Sequence, residues 1–362
     1  MSGAHAVTNL DLLAAEIREA RMHYPKMREK DLANAIDVSE AEIVASFVGY
    51  GNRRIAPGFA DLFGGLVELG EISVLTGNGS AVQETTVSLQ SCVRGRGTVS
   101  LFGANTQARL ALSQWAHGYA VEKTDGTRVR KSLQFFDRFG NAVHKISACA
   151  GTDPDAWDRL VETISIDDDA AGALFAIKVP YPTSDGRSKP GKEPNPANRL
   201  RNLPDEYQFR GEGQKLDCDQ INVFRSPGAS STWPLDTGSV AALLRIASSE
   251  KIPVMCFVKN PGCRQVHTGY VGNVLEKGPY LNVMDPKFHL HVRLDHIAEV
   301  WAVHKPSERG QVIAVQAFDL SGQQIVQFRG STGEARSNDI DWHELSACLP
   351  RLDRTLAVRA AQ

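Results

Sequence analysis

The sequence predicts an α+β protein made by tandem duplication of one unit, in which each copy carries a large antiparallel β-sheet and flanking helices. The first observation is an internal repeat at a constant offset of 182 residues, which needs no gap. Agreement over such a span is hard to obtain by chance, so we interpret each copy as one structural unit. The identical pairs are Asn78 and Asn260, Gln83 and Gln265, Ala120 and Ala302, Val121 and Val303, Lys123 and Lys305, Gln134 and Gln316, Phe136 and Phe318, Asp137 and Asp319, and Gly140 and Gly322.

The second observation is a series of short apolar segments separated by tight turns, which is typical of antiparallel strands. In the first copy, residues 118–123 and 128–136 predict a hairpin around Asp125-Gly126. Further strands of this copy are predicted at 71–76, 98–103 and 142–146. The second copy predicts strands at 254–258, 265–271, 280–283, 289–292, 300–304, 311–318 and 323–328.

The third observation is helical periodicity, which predicts helices over residues 8–49 and again at 155–162, 240–250 and 342–349. Ser39 is a good N-cap, with Glu40 and Glu42 in the first turn, where the helix dipole favours acids. The helix–turn–helix order of this region could also indicate DNA binding. However, the candidate recognition helix, 40–48, has acidic residues and no Lys or Arg, so phosphates would repel it. We therefore interpret the region as a structural helical cap.

The repeat also sets the predicted domain organisation. We expect an N-terminal repeat at 1–180, a linker rich in Pro and Gly at 181–203, a C-terminal repeat at 204–355 and a tail at 356–362. Two similar domains packed together create a cleft, which is a usual place for a ligand.

Composition excludes several classes of protein. The 362 residues are 42% hydrophobic and have a net charge of -2 without long runs of one sign, which argues against nucleic-acid binding and membrane-surface binding. The six cysteines are scattered through the sequence and form no Cys-x-x-Cys motif. We therefore expect reduced thiols and a cytoplasmic location. We see no signal peptide and no apolar run long enough to span a bilayer.

Several common catalytic and cofactor-binding motifs are absent from the sequence, including Walker loops and His-Glu-x-x-His. The densest histidine group is 289–296, where His289 and His291 share one face of a predicted strand and could chelate a metal. Because no further ligands complete the set, two surface residues are the preferred interpretation. The repeat places His291 at the position of Arg109, so both copies carry a polar group there.

Several longer motifs resemble the hemin-degrading factor family, the cytoplasmic HemS/ChuS/HmuS-type haem utilisation proteins of bacteria. They are 130–137 (Arg-Lys-Ser-Leu-Gln-Phe-Phe-Asp), 142–145 (Ala-Val-His-Lys), 260–269 (Asn-Pro-Gly-Cys-Arg-Gln-Val-His-Thr-Gly), 278–291 and 304–306 (His-Lys-Pro). The similarity runs from about Tyr24 to Leu352. The resemblance implies two repeats, one haem bound in the cleft, and a role in storing, passing on or breaking down imported haem.

The resemblance also implies an iron ligand, which differs here. The family holds iron with the His of an Asp-x-His-Gln-Phe stretch. An ungapped count back from Pro253 places Asp205-Glu-Tyr-Gln-Phe209 at that position, so Tyr207 replaces the His. A tyrosine phenolate is a known ligand of ferric haem, and Arg201 or Arg210 could favour its ionisation. The alternative is that Tyr207 is a loop residue and the site has been lost.

Other implied site residues are partly kept. The distal Arg of the family, a candidate catalytic group, corresponds to Arg109, and the propionate-binding Lys corresponds to Lys305. A family Tyr is replaced by Arg329, which could bind a propionate bidentately. A family His in an Ala-Val-His-Glu stretch is replaced by Gln83.

Two functions follow from the resemblance. One is an enzyme that opens the macrocycle of haem with O2 and a reductant. The other is a carrier of hemin (heme b) that receives it near an ABC importer or passes it to a downstream haem oxygenase. Because an anionic phenolate stabilises Fe(III), Tyr207 favours the carrier, with weak degrading activity left open.

Overall fold

The computed structural model describes residues 9–59, 61–126, 128–178, 221–225, 231–307, 310–331 and 336–353. The helices with defined bounds are α1 (Asn9–His23), α2 (Glu29–Ala35), α3 (Glu40–Ala45), α4 (Leu62–Gly65), α5 (Pro154–Ile164), α6 (Ala170–Lys178), α7 (Ser239–Ser249) and α8 (Arg336–Cys348). Residues 221–225 are also helical. Among the described residues, no helix is both long enough and apolar enough to cross a membrane.

The strands are β1 (Asn52–Ile55), β2 (Gly70–Gly77), β3 (Ala81–Arg94), β4 (Thr98–Gly103), β5 (Thr106–Ala111), β6 (His117–Asp125), β7 (Arg128–Phe136), β8 (Ala142–Thr152), β9 (Ser165–Ile166), β10 (Thr232–Leu235), β11 (Val254–Asn260), β12 (Cys263–Gly269), β13 (Val274–Lys277), β14 (Tyr280–Met284), β15 (Phe288–Arg293), β16 (Glu299–Ser307), β17 (Gly310–Phe318) and β18 (Gln324–Gly330). Short 3₁₀ turns occupy Leu66–Leu69, Leu112–Gln114 and Leu294–His296. The predicted class, α+β with antiparallel sheets and flanking helices, is confirmed.

The chain divides into two compact units. Unit 1 comprises Met1–Val74, Ser88–Val99 and Ala111–Gly186, and unit 2 comprises Leu75–Val87, Ser100–Leu110 and Arg187–Gln362. Unit 2 therefore includes two stretches of the predicted N-terminal repeat. The predicted repeat boundaries stay a prediction, and the linker at 181–203 and the tail at 356–362 lie outside the described residues.

Unit 1 is organised by the antiparallel meander β6–β7–β8, with β1 pairing with both β6 and β9. The predicted hairpin forms, and Gly126 in its turn has φ +62, a backbone conformation that favours glycine. The predicted helix start also forms. Ser39 accepts from the N–H of Glu42, whose carboxylate accepts from the N–H of Ser39, so the two residues form a capping box.

Unit 2 contains a ladder of seven strands in the order β10–β16–β17–β18–β11–β12–β5. A second ladder runs β13–β14–β15–β3. One apolar core joins residues of both ladders with α7 and α8, including Leu244, Val258, Leu290, Phe328 and Trp342. Burial of such side chains is the main stabilising contribution of the unit.

Strand pairing crosses between the two sequence repeats. β5, from the first copy, pairs with β12, and β15, from the second copy, pairs with β3. Thr85 corresponds to His267, and Thr106 corresponds to Phe288, at the offset of 182 residues. The pairing of Thr106 with His267 is therefore the repeat-related equivalent of the pairing of Phe288 with Thr85. Local patterns could not predict this arrangement, because the partners are far apart in the sequence.

Several strands differ from the prediction. Five of them, β1, β3, β5, β9 and β10, were not predicted at all. The strand predicted at 265–271 lies two residues earlier, at Cys263–Gly269, where it pairs along its whole length with β11. β13 was also not predicted, because its residues are half-buried or exposed and show no alternation of apolar and polar positions.

Candidate functional site

The candidate site is one face of the seven-stranded ladder of unit 2, which we call the cationic face. Residues directly opposite each other on neighbouring strands point to the same side of a sheet. The register therefore places on this face Gln107 and Arg109 of β5, Arg264 and Val266 of β12, Met255, Phe257 and Lys259 of β11, Gln327 and Arg329 of β18, Ala314 and Gln316 of β17, and Trp301 and Val303 of β16.

Arg329 is a buried cation within an apolar part of this face. It is 4% exposed, and its Nε donates to Met255 Sδ at 3.3 Å. Its guanidinium carbon lies 5.1 Å from the centre of the Phe257 ring, a cation–π contact. Met255 and Phe257 pack with Val266 in a small apolar cluster. The face therefore combines an apolar strip with a charge that suits a partly apolar anion.

Arg109 lies at the other end of the same face. It pairs in register with Arg264, which in turn pairs with Lys259. All three side chains are half-buried. Met255 lies opposite Arg329 and four positions from Lys259 along β11. Along the strand direction, Arg329 is therefore about 13 Å from the row of Arg109, Arg264 and Lys259.

The structure describes only part of Lys305 and none of Tyr207, the other two predicted site residues. The backbone of Lys305 lies in β16 opposite Val312, whereas its side chain lies outside the described part of the structure. Tyr207 lies wholly outside the described residues. Their roles therefore stay predictions.

Gln83, which the resemblance placed at the position of a family His, is fully buried in β3. With its amide oriented to match its surroundings, the side chain donates to Cys256 O at 3.3 Å and accepts from His267 N at 3.2 Å. The residue therefore ties β3 to two strands of the ladder in the interior of unit 2, which is a structural role.

No histidine occupies the cationic face at the positions that the structure describes. His267 belongs to the opposite side of β12, where it is buried and stacks on Phe288 with ring centres 3.7 Å apart. Burial lowers the pKa of His267 to about 4, so the ring is neutral at pH 7. An iron ligand on this face would therefore have to come from Met255 or from a segment outside the described strands.

The two histidines of β15 have different side-chain neighbours. The rings of His289 and His291 are 6.5 Å apart. His289 Nδ1 lies 3.9 Å from a Glu84 oxygen, and His291 Nδ1 lies 2.6 Å from Asn282 Oδ1. Within the described ranges, no group of three or more His, Cys, Asp or Glu residues could hold a metal ion.

The helical segment 221–225 is fixed at one edge of the cationic face. Arg225 donates to both carboxylate oxygens of Glu299, and Trp301 Nε1 donates to the same carboxylate at 3.0 Å. Phe224 packs with Trp301 and Phe318 in a buried cluster. Glu299 is 6% exposed, and the three donors from Arg225 and Trp301 satisfy its carboxylate in place of water.

Sequence reasoning missed Met255, Phe257, Val266, Lys259 and Arg264 as residues of the face. The alternation of Met255, Phe257 and Lys259 along β11 could have placed these three on one side of a strand. The position of Arg264 beside Arg109 could not be found in this way, because it depends on a pairing between the two repeats.

Fold and site together define a duplicated α+β protein with an apolar and cationic face on an antiparallel sheet. A sequence profile of the haemin-degrading HemS.ChuX domain matches residues 37–164 and 218–349. The chain belongs to this family.

The relatives are similar over nearly the whole chain. The hemin transport protein HmuS of Yersinia pestis is 30% identical over 339 residues, which cover 92% of this chain and 96% of the relative. The crystal structure of holo-PhuS, a heme-binding protein from Pseudomonas aeruginosa, is 31% identical and superposes with a TM-score of 0.83 over 95% of this chain and 100% of that chain. The structure of ChuS, an E. coli heme oxygenase, has 25% identity and a TM-score of 0.77 over 94% and 99%.

Proposed function

We propose that this protein is a cytoplasmic carrier of haem iron acquisition, which binds hemin (heme b) on the cationic face and passes it on. The observation that carries the proposal is Arg329, a buried guanidinium set against Met255 and Phe257. A planar apolar ligand with carboxylates on its edge matches this surface, because the apolar strip packs against the ring and the cations bind the carboxylates. The hemin transport and heme-binding proteins among its relatives support the same ligand.

Different residues of the face would contact different parts of the haem. Arg329 and Lys305 would hold the propionates, while Met255, Phe257 and Val266 would contact the ring. Arg109, at the other end, is the candidate for the distal side of the iron and for any catalytic contribution. Bound haem would supply the iron chemistry, and these side chains bind it, orient it and exclude water.

Tyr207 is the proposed axial ligand. The described part of the face offers no histidine, and Met255 Sδ already accepts a hydrogen bond from Arg329. A phenol with a pKa near 10 needs help to ionise, which Fe(III) or a nearby cation such as Arg201 or Arg210 would give. Because a phenolate stabilises Fe(III), this ligand favours carrying over degradation and leaves weak haem breakdown open.

A carrier needs a source and a recipient. We propose the cytoplasmic side of a haem ABC importer as the source and a haem oxygenase or the iron pool as the destination. Among the described residues, this chain has no helix that could cross a membrane. The importer would therefore contact the exposed surface of this protein.

The test is a hemin titration of the purified protein followed by ascorbate. The carrier predicts one saturable Soret change per chain at micromolar hemin and slow or absent loss of the Soret band with ascorbate. No saturable change would contradict haem binding, and rapid ascorbate-driven loss of the band would favour a degrading enzyme.

A further inference from the structure

We propose that a cavity in unit 1 is a binding site for a small zwitterion, of the class of α-amino acids with an apolar side chain. The cavity has a volume of about 320 Å³ and lies between strands β1 and β6 and helix α5. Its lining includes Gly49, Gly51, Arg53, Glu122, Trp157 and Val161. A water molecule takes about 30 Å³ in the liquid, so this space holds a molecule of roughly ten non-hydrogen atoms.

Two opposite charges border the cavity. Arg53 of β1 stands opposite Ala120 of β6, and Glu122 lies two positions further along β6, on the same side of the sheet. The two charged residues are therefore diagonal neighbours, about 7 Å apart at their Cβ atoms. They form no ion pair with each other, and each contacts a different residue instead. The space beside a cation and an anion favours a ligand that carries both charges.

Ion pairs tie helix α5 to the two strands that flank β6. Arg53 Nη1 on β1 donates to Glu162 at 2.6 Å, and Lys131 on β7 donates to Asp158, one turn earlier in α5. The same helix supplies Trp157, which is 2% exposed, as an apolar wall of the cavity. The walls are therefore regular elements, a helix and a strand pair, joined by side-chain contacts.

The charged groups keep hydrogen-bonding capacity for a ligand. Among the described residues, Glu162 accepts from Nη1 of Arg53, which leaves the N–H groups of Nε and Nη2 for a carboxylate. The carboxylate of Glu122 lies 3.7 Å from Lys131 Nζ, which is longer than a hydrogen bond, so it can accept from an ammonium. An α-amino acid presents a carboxylate, an ammonium and a side chain for the apolar wall in one small molecule.

The duplicated scaffold provides an internal comparison, because unit 2 carries rings at the same place. Arg53 and Trp233 hold equivalent register positions on β1 and β10, opposite residues that the offset of 182 relates. The same offset relates Glu122 to His304. The rings of Trp233 and His304 meet edge to face with centres 5.2 Å apart, and the ring of His343 lies 5.9 Å from that of His304. The shared fold therefore does not impose the open cavity of the first copy.

The experiment titrates the haem-free protein with L-leucine by calorimetry. Two analogues are the matched probes: 4-methylpentanoate, which lacks the ammonium, and 3-methylbutan-1-amine, which lacks the carboxylate. We expect saturable binding of one L-leucine per chain. Each analogue should bind about tenfold more weakly, since each loses one charge-assisted hydrogen bond.

Variants assign the binding to this cavity. Glu122→Gln and Arg53→Gln should each weaken L-leucine binding about tenfold for the same reason. Glu162→Gln removes the ion pair to α5 but keeps the guanidinium, so it should bind L-leucine as the parent does and thereby separates a role in binding from a role in structure. The matched control is Arg245→Gln, which removes an exposed arginine of α7 that pairs with Glu276 in unit 2. This variant should also bind as the parent does.

Three results would overturn the proposal. One is the absence of saturable L-leucine binding by the parent, and another is equal binding by the parent and by Arg53→Gln or Glu122→Gln. The third is equal binding of L-leucine and its two analogues, because a site that ignores both charges is not a zwitterion site. The cavity belongs to unit 1 and the cationic face to unit 2. Hemin is titrated separately, so a failure of hemin binding leaves the L-leucine result intact.

Discussion

Asn78 and Asn260 hold each other's turns in a reciprocal pair of hydrogen bonds. Asn78 Nδ2 donates to the carbonyl oxygen of Lys259 at 3.1 Å, and Asn260 Nδ2 donates to that of Gly77 at 2.9 Å. Each acceptor is thus the residue just before the other asparagine. Each Oδ1 also accepts from the backbone N–H groups two and three positions ahead, at Ser80, Ala81, Gly262 and Cys263.

Asn78→Ala and Asn260→Ala should each destabilise the protein. Each removes at least three hydrogen bonds and frees a turn, which we expect to cost about 2 to 4 kcal/mol at roughly 1 kcal/mol per bond. Urea unfolding measures the loss. The double variant should lose less than the sum of the single losses, because the two side chains act on one structure.

The control for this prediction is Asn141→Ala, because the side chain of Asn141 bonds within one exposed turn, to Asp137. Its loss should be clearly smaller. Equal losses of unfolding free energy in all three single variants would show that the reciprocal bonds stabilise the protein no more than the bonds of one exposed turn do.

Acid should destabilise the fold through His267. Burial holds its pKa at about 4 in the folded protein, below the usual 6.5, so the unfolded chain binds the proton more tightly. The stability that the neutral His267 contributes is fully present above pH 6.5 and is lost as the pH falls towards 4. The free energy of unfolding should be about 2 kcal/mol lower at pH 5 for this reason. Urea unfolding at pH 8 and pH 5 measures this loss.

His117 contributes in the same direction, because burial and, to a smaller degree, the charge of Arg54 lower its pKa to about 4. His267→Phe keeps a ring on Phe288 and removes the titrating group, so the stability of this variant should depend less on pH. An unchanged pH dependence would assign the acid sensitivity to other groups.

Changing both Lys305 and Arg329 to Ala should weaken hemin binding. Two charge-assisted hydrogen bonds of about 1.5 to 3 kcal/mol each predict a loss of roughly 2 to 4 kcal/mol, since such effects are not additive. The hemin dissociation constant measures it, with Arg245→Gln as a control for loss of positive charge. An unchanged constant would place the propionates elsewhere.

Tyr207→Phe should change the ferric hemin spectrum and speed haem release. The parent is expected to show a high-spin spectrum with a charge-transfer band, as a phenolate ligand gives. The substitution removes one oxygen and keeps the ring. Tyr207→His should give a His-type spectrum and an iron that is easier to reduce, which would raise any ascorbate-driven haem breakdown.

If Tyr207→Phe leaves the spectrum as it was, the ligand is another residue. The sequence pointed to His291 and His289 as the next candidates, but both lie on β15, outside the cationic face, so Met255 is the next residue to substitute. The argument from ligand to carrier would then no longer hold.

The sequence predicted those elements whose causes are local. The hairpin β6–β7 follows from alternation and one Asp-Gly pair, and the start of α3 follows from Ser39 and Glu42. The long strand β3 was not predicted, although Gln83 within it was singled out. Its second half is mostly exposed or half-buried, so its apolar pattern fades.

The site was predictable only in part. The resemblance pointed to Arg109 and Arg329, and both lie on one face of unit 2. Nothing local could show that Arg264 stands beside Arg109, because 155 positions separate the two residues and their pairing forms only in the folded chain.

The exchange of strands between the repeats bears on how this protein arose. Because β5 on β12 repeats the pairing of β3 on β15, the two contacts are the same interface used twice. A single ancestral copy would present both halves of that interface, and two such copies would close it with two-fold symmetry. A gene fusion that joined the partners of this homodimer would make assembly independent of concentration. It would also free each copy to change alone, and the copies now differ at equivalent positions such as Val82 and Arg264, or Arg109 and His291.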